Sequence, residues 1–204
     1  DTCAFFNCPE LQSVAFRECD TPILTIKAHA FAFAAKLNTL SFTESLTTIY
    51  YGAFSGCTAL EALTLPNSLT SIVGTGNYDR NGAFAYCSAL KSVKLGSGLV
   101  EIGNGFSGES TSVNDGKAYT GAFGKCGKLE TIEFGPNLKT IGHHAFSECI
   151  ALKTLNIPDT VQTIGVNAFS HNTALESVSF GTGMTVIDTC AFFNCPELQS
   201  VAFR

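Results

Sequence analysis

One dipeptide organises this chain. Ala-Phe recurs in phase at Ala4, Ala30, Ala53, Ala83, Ala122, Ala145, Ala168 and Ala191, at steps of 26, 23, 30, 39, 23, 23 and 23 residues. The underlying unit is 23 residues long and reads AFxxCxxLxxVxFxxxLxxIGxx, with extra residues in three copies; Ala145 to Asn167 is a clean copy. A period of this size marks a repeat architecture, in which no unit can bury its apolar face alone and stacked units share one core. Within a unit, Leu152-Lys153-Thr154-Leu155-Asn156-Ile157 alternates apolar and polar at its end, the mark of a strand. Pro or Gly follows, as at Pro66, Gly96, Gly135, Pro158 and Gly181, and ends the strand in a turn. An LxxI segment such as Val161 to Ile164 predicts a second short strand. Gly103, Gly142 and Gly165 are expected to bend the chain, and AFxxC has room for one helical turn.

The expected fold is therefore a β-rich repeat solenoid with a parallel sheet of about eight strands, short second strands and one-turn helices. The strands are predicted at about 12–16, 38–42, 61–65, 91–95, 130–134, 153–157, 176–180 and 199–203. The whole of 1–204 forms a single domain, interrupted by insertions at about 17–22, 73–82 and 103–121. Composition agrees with a packed array: 45% of residues are hydrophobic and only 14% charged, which excludes a disordered chain. The longest apolar run falls far short of the roughly 18–20 residues that cross a bilayer as a helix, so no membrane insertion is expected in this segment. A net charge of −5 with scattered Lys and Arg argues against nucleic acid, which needs clustered cations. The chain starts at Asp1 with no basic-then-apolar leader, so any address label is expected outside it.

Two stretches carry a resemblance. Leu60-x-x-Leu63-x-Leu65-Pro66-x-x-Leu69-x-x-Ile72 and Ile141-Gly-x-x-Ala145-Phe146-x-x-Cys149 together spell LxxLxLPxxLxxIGxxAFxxC. This motif, which covers essentially the whole chain, resembles the BspA-like, or treponemal-type, leucine-rich repeat family of bacterial and protist surface proteins. The resemblance implies a horseshoe-like leucine-rich repeat of the α/β class, an extracellular or cell-surface location, and binding to host matrix proteins or to other cells. The better-known leucine-rich pattern has Asn where its strand ends; here Ser68 or Thr160 holds that slot, so the ordinary asparagine ladder is absent.

The chemistry-bearing residues follow the template rather than depart from it. Cys8, Cys57, Cys87, Cys126, Cys149 and Cys195 share one column, in which Ala34 and Asn172 also stand. Such a column suits small packed side chains, with free thiols acting as hydrophobes. A disulfide using Cys19 is the alternative. No CxxC pair suggests zinc. His29, His143, His144 and His171 fall at bends, where surface turns account for them better than ligation or base catalysis. No nucleophile–base pair and no phosphate-cradling glycine motif stands out, so neither an enzyme nor a cofactor is expected.

Two strand columns should face outward. One reads Ser13, Thr39, Ala62, Ser92, Thr131, Thr154, Ser177, Ser200; the other reads Ala15, Ser41, Thr64, Lys94, Glu133, Asn156, Ser179, Ala202. This face is small and hydroxyl-rich, with Lys94, Glu133 and Asn156 its distinctive marks. The two larger insertions leave consecutive units at the same template point and should protrude side by side. They bring Tyr78, Asp79, Arg80, Phe106, Glu109, Asp115, Lys117 and Tyr119, the aromatic and charged types that dominate binding hot spots. Asn114-Asp115-Gly116 predicts a tight turn, and Ser110 to Thr120 a hairpin. Calcium at Asp79, Glu109 and Asp115 matches no known loop spacing.

Residues 1–17, DTCAFFNCPELQSVAFR, recur identically as 188–204. Both carry ordinary interior sequence, with Phe5, Leu11, Phe192 and Leu198 in place, where solenoid termini usually carry polar caps. The expectation is a slice of a longer array, or copies that associate end to end. The expected function is non-enzymatic binding of another protein, with adhesion implied by the resemblance. A structural spacer, or a self-assembling array with no ligand of its own, is the alternative.

Overall fold

A strand of two or three residues persists only when neighbours on either side complete its hydrogen bonds. The computed structural model describes residues 1–20, 22–74, 81–103 and 120–204, and there each coil lends such strands to its neighbours. In chain order they are β1 (Ser13–Ala15), β2 (Thr25–Ile26), β3 (Thr39–Ser41), β4 (Thr48–Ile49), β5 (Ala62–Thr64), β6 (Ser71–Ile72), β7 (Ser92–Lys94) and β8 (Glu101–Ile102). They continue as β9 (Thr131–Glu133), β10 (Thr140–Ile141), β11 (Thr154–Asn156), β12 (Thr163–Ile164), β13 (Ser177–Phe180), β14 (Val186–Ile187) and β15 (Ser200–Phe203).

The odd-numbered strands fall where the alternation places them and pair parallel, apolar residue beside apolar residue: Val14 with Leu40, Leu63 with Val93, Leu155 with Val178. They do not form one sheet. They make three ladders, β1-β3, β5-β7-β9 and β11-β13-β15. Both breaks occur where a strand-end phenylalanine is followed one coil later by an aliphatic residue, Phe42 by Leu65 and Phe134 by Ile157. Elsewhere in this column, size stays level or rises from coil to coil. The two rings pack edge-on against Phe54 and Phe146, at 5.9 and 6.2 Å, as Phe16 and Phe180 do against Phe31 and Phe192. The unbroken element is the other one: the even-numbered strands form a single sheet of seven, in the order β14-β12-β10-β8-β6-β4-β2.

Between second and first strands, the AFxxC segments are runs of hydrogen-bonded turns rather than one-turn helices. Alternate N–H groups leave the local chain and bond the next coil, as Phe5 N–H does with Ala30 O (2.7 Å) and Phe31 N–H with Ala53 O (2.7 Å). A donor committed to its neighbour cannot close an α-turn. Left-handed residues make this possible, two in most coils, for example His144 and Glu148 (φ 55° and 58°), with glycine taking both places at Gly52 and Gly56, and one, Tyr86 or Lys125, in the coils of Ala83 and Ala122. Of the three glycines expected to bend the chain, only Gly103 has a positive φ. Gly142 and Gly165 are needed for another reason: a Cβ on Gly142 would collide with the Gly103 carbonyl of the coil beneath.

The core is a column of rings. Phe5, Phe31, Phe54, Phe84, Phe123, Phe146, Phe169 and Phe192 stack face to face with centroids 5.0–5.4 Å apart. Leucines 37, 60, 90, 129, 152 and 175 and isoleucines 26, 49, 72, 102, 141 and 164 of the second sheet close around it, all buried. Each coil adds area to a core it does not contain, which is what makes so small a unit foldable.

Candidate functional site

Alternation within a three-residue strand turns the middle side chain inward and the flanking two outward. In β5, β7 and β11 the middle residue is buried and the last one exposed. Parallel register then lines the outward residues into two columns, one coil apart. Lys94, Glu133 and Asn156 all stand exposed in the second column. Lys94 Nζ lies 2.6 Å from Glu133 Oε1, and both side chains remain more than half exposed. Asn156 does not join that pair. Its Oδ1 accepts a hydrogen bond from Ser179 Oγ (3.2 Å), which itself accepts one from Arg204 Nη2 (3.2 Å). The three residues thus share a row but divide between two ladders.

A further column borders this row, and the motif reading passed over it. The residue before β5, β7, β9, β11 and β13 in turn is Glu61, Lys91, Glu130, Lys153 and Glu176, all exposed and alternating in sign. Lys91 Nζ lies 2.8 Å from Glu61 Oε2. The hydrogen bond from Lys91, and then its charge, hold the Glu61 carboxyl below its usual range, while Glu61 and then Glu130 raise the Lys91 ammonium. The signal was available: aligning the coils in phase displays the alternation. It stands one residue before the strands, where period-two alternation carries no information.

Tyr78, Asp79, Arg80, Phe106, Glu109, Asp115, Lys117 and Tyr119 lie outside the described residues, as does all of the expected hairpin but Thr120. Their described flanks are adjacent. Gly103 N–H donates to Ile72 O at 2.9 Å where the insertions depart, and Gly82 packs against Gly121 where they return.

Buried polar groups complete the inventory. Cys57, Cys87, Cys126 and Cys149 are fully buried, and each thiol donates to a phenylalanine carbonyl one coil back, 3.3–3.5 Å away. Cys195 does the same with Phe169 O. Burial pushes the Cys149 thiol up to about 12 and the Cys57 thiol higher still; for Cys87 the hydrogen bond with the Cys126 thiol is the first cause of the rise and burial the second. Thiols so far from ionising are packing groups, not nucleophiles. His144 is mostly buried, and burial, with the charge of His143 second, brings it down to about 4. His143 Nδ1 accepts the Val166 N–H at 2.8 Å. An inter-coil polar ladder does exist after the strands, displaced from the slot where asparagine was sought. Glu18 accepts from Glu44 N–H, Glu44 from Ser68 N–H, Asn67 from Ser97 N–H and Asp159 from Thr182 N–H, at 3.0–3.1 Å.

A stack of parallel-stranded coils around one apolar column, with small polar residues outward, defines a leucine-rich repeat solenoid. Residues 1–115 and 117–204 match the BspA type leucine rich repeat region, with six copies, and the chain belongs to that family. A leucine-rich repeat protein of Treponema pallidum is 30% identical to it over 69% of this chain and 57% of that one, with a TM-score of 0.55. A leucine rich cell surface protein of Faecalibacterium prausnitzii is 23% identical over 98% of this chain and 62% of that one, with a TM-score of 0.53. A leucine-rich repeat protein of Eubacterium ventriosum is 24% identical over 84% and 40% respectively, with a TM-score of 0.67. The chain thus spans about two fifths to three fifths of these solved structures. None of the curated proteins matches it in sequence.

Proposed function

We propose that this chain is a non-enzymatic, surface-exposed binding domain whose ligand is another protein, in an adhesive role toward host matrix or neighbouring cells. One observation carries the reading. Every coil turns the same two strand positions outward, so the array presents a long polar face with its charged side chains exposed, Lys94 and Glu133 at its middle. Exposed pairs of this kind contribute little to stability but can fix the register of a partner. The insertions supply the residue types that the face lacks: Tyr78, Asp79, Arg80, Phe106, Glu109, Asp115, Lys117 and Tyr119 would act as anchors. Family membership and the surface protein of Faecalibacterium prausnitzii support a location outside the cell.

The test is binding of the immobilised chain to a panel of purified extracellular-matrix proteins. Replacing residues 104–119 with a Gly-Ser linker should lower the best affinity at least tenfold while leaving thermal unfolding unchanged. The pair Lys94→Glu with Glu133→Lys should shift it less. If no matrix protein binds the parent chain, the adhesive role is wrong.

A further inference from the structure

Both charged columns of the strand face change sign together between β7 and β9. Lys91 precedes β7 and Lys94 ends it; Glu130 precedes β9, the next strand of the ladder, and Glu133 ends it. The flanking coils keep the alternation, with Glu61 before β5 and Lys153 before β11. All six side chains are exposed, and the outward places between the columns hold only Ala62, Ser92, Thr131 and Thr154. Folding gains little from this pattern. Lys91 pairs with Glu61 and Lys94 with Glu133 at 2.8 and 2.6 Å, but each of these side chains stays more than half exposed, where an ion pair contributes little. Glu130, Lys153 and Glu176 form no ion pair among the described residues, although a charge of opposite sign stands one coil away.

A partner that answers these charges must reverse sign at the same step in two columns at once. The step is one coil, 5.2–5.3 Å along the phenylalanine stack at these coils. An extended strand lying along the stack shows one side chain per roughly 6.6–6.8 Å on a face and falls out of step within two coils. A helix keeps closer step, at about 5.4 Å per turn, but lays a single stripe over one column. A second array of stacked coils matches both columns, and this chain is such an array with the required signs. We propose that the strand face docks on the same face of a second copy, the two stacks antiparallel about a two-fold axis that runs along the strands between β7 and β9. The inference rests on reading this face as a protein-binding surface and names its partner. β7 then lies across from β9 of the second copy, and β5 across from β11. Lys91 meets Glu130, Lys94 meets Glu133 and Glu61 meets Lys153, each twice by symmetry, and neither column opposes like charges. Stacked sheets lie about 10 Å apart, a gap that a lysine and a glutamate extended toward each other span. Such an isologous contact closes at two copies.

Analytical ultracentrifugation of the 204-residue chain at low ionic strength should give a weight-average mass that rises with concentration and levels off at twice the monomer. In about 1 M salt, where charges act over only roughly 3 Å, the dimer should dissociate. Two variants show whether this face is responsible. Lys91→Glu with Lys94→Glu sets acid against acid, and Glu130→Lys with Glu133→Lys sets base against base, so each alone should stay monomeric. Their equimolar mixture should form a one-to-one dimer, because every opposed pair is then again of opposite sign, and its formation shows that both variants are folded. A parent chain that is monomeric at every concentration overturns the inference. So does association that survives either pair of substitutions, or a mixture that does not dimerise. Matrix-protein binding is read separately: a monomeric parent that binds a matrix protein overturns this inference alone, and a dimer that binds none supports it while the adhesive role toward matrix fails.

Discussion

Residues 1–17 and 188–204 are one sequence in two environments, and the difference separates what a coil contributes from what it receives. Ala4 is exposed where Ala191 is 3% exposed, because only the second has a coil beneath it. Phe16 is half-buried against Phe31 and Phe42, while Phe203 is 67% exposed although it stacks on Phe180 at 4.8 Å. Both segments nevertheless keep the same path, with left-handed residues at Cys3 and Asn7 and again at Cys190 and Asn194. Backbone shape follows from local sequence; burial comes from the neighbours, one side at a time. In the middle of the array both sides are filled, and Phe84, Phe123 and Phe146 are fully buried.

Four substitutions, in three comparisons, test that division. The largest effect is expected from one change made twice: Ala191→Asp should destabilise by about 3 kcal/mol, since it buries an unpaired carboxylate, and Ala4→Asp by less than about 0.5 kcal/mol. Urea unfolding of the two variants decides it, and equal losses would break the comparison.

The next concerns the place before Ala-Phe, held by Cys3 and Cys190 at the ends and by His144 in an interior coil. In the folded chain His144 takes up a proton only near pH 4, whereas the unfolded chain takes one up near 6.5. As pH falls through that window the unfolded state binds the proton first, so stability declines between about 6.5 and 4 and levels off below. The loss is on the order of 2–3 kcal/mol. His144→Asn, which puts there the residue found at Asn167, should flatten that slope in urea titrations at pH 7 and pH 4.5.

The smallest effect concerns the thiol column, where Asn172 stands fully buried between Cys149 and Cys195 with neither amide atom bonded. Asn172→Cys restores the column and should stabilise by about 1–2 kcal/mol. A loss measured by thermal unfolding would show that the amide is satisfied in solution.

Much of the fold was legible because a repeat states its periodicity many times. The odd-numbered strands, the second strands, the phenylalanine spine and the thiol column all follow from template position. Less of the site was legible. Lys94, Glu133 and Asn156 were placed correctly on one face, but which of them touch depends on coil-to-coil distance: Lys94 reaches Glu133, whereas Asn156 turns to Ser179. The charge alternation from Glu61 to Glu176 is present in the letters but lies one residue outside the alternating strand pattern.

The sequence by itself determined the coil: its length, its turns, and which side chains point in, since these depend on residues a few positions apart. Only the tertiary structure decided how coils meet. The split of the first strands into three ladders, the continuity of the seven-stranded sheet, the glycines at 142 and 165, and the direction of the AFxxC hydrogen bonds all arise between residues about 23 positions or more apart. There, side-chain size in one coil sets the spacing of the next, a coupling that no single unit contains.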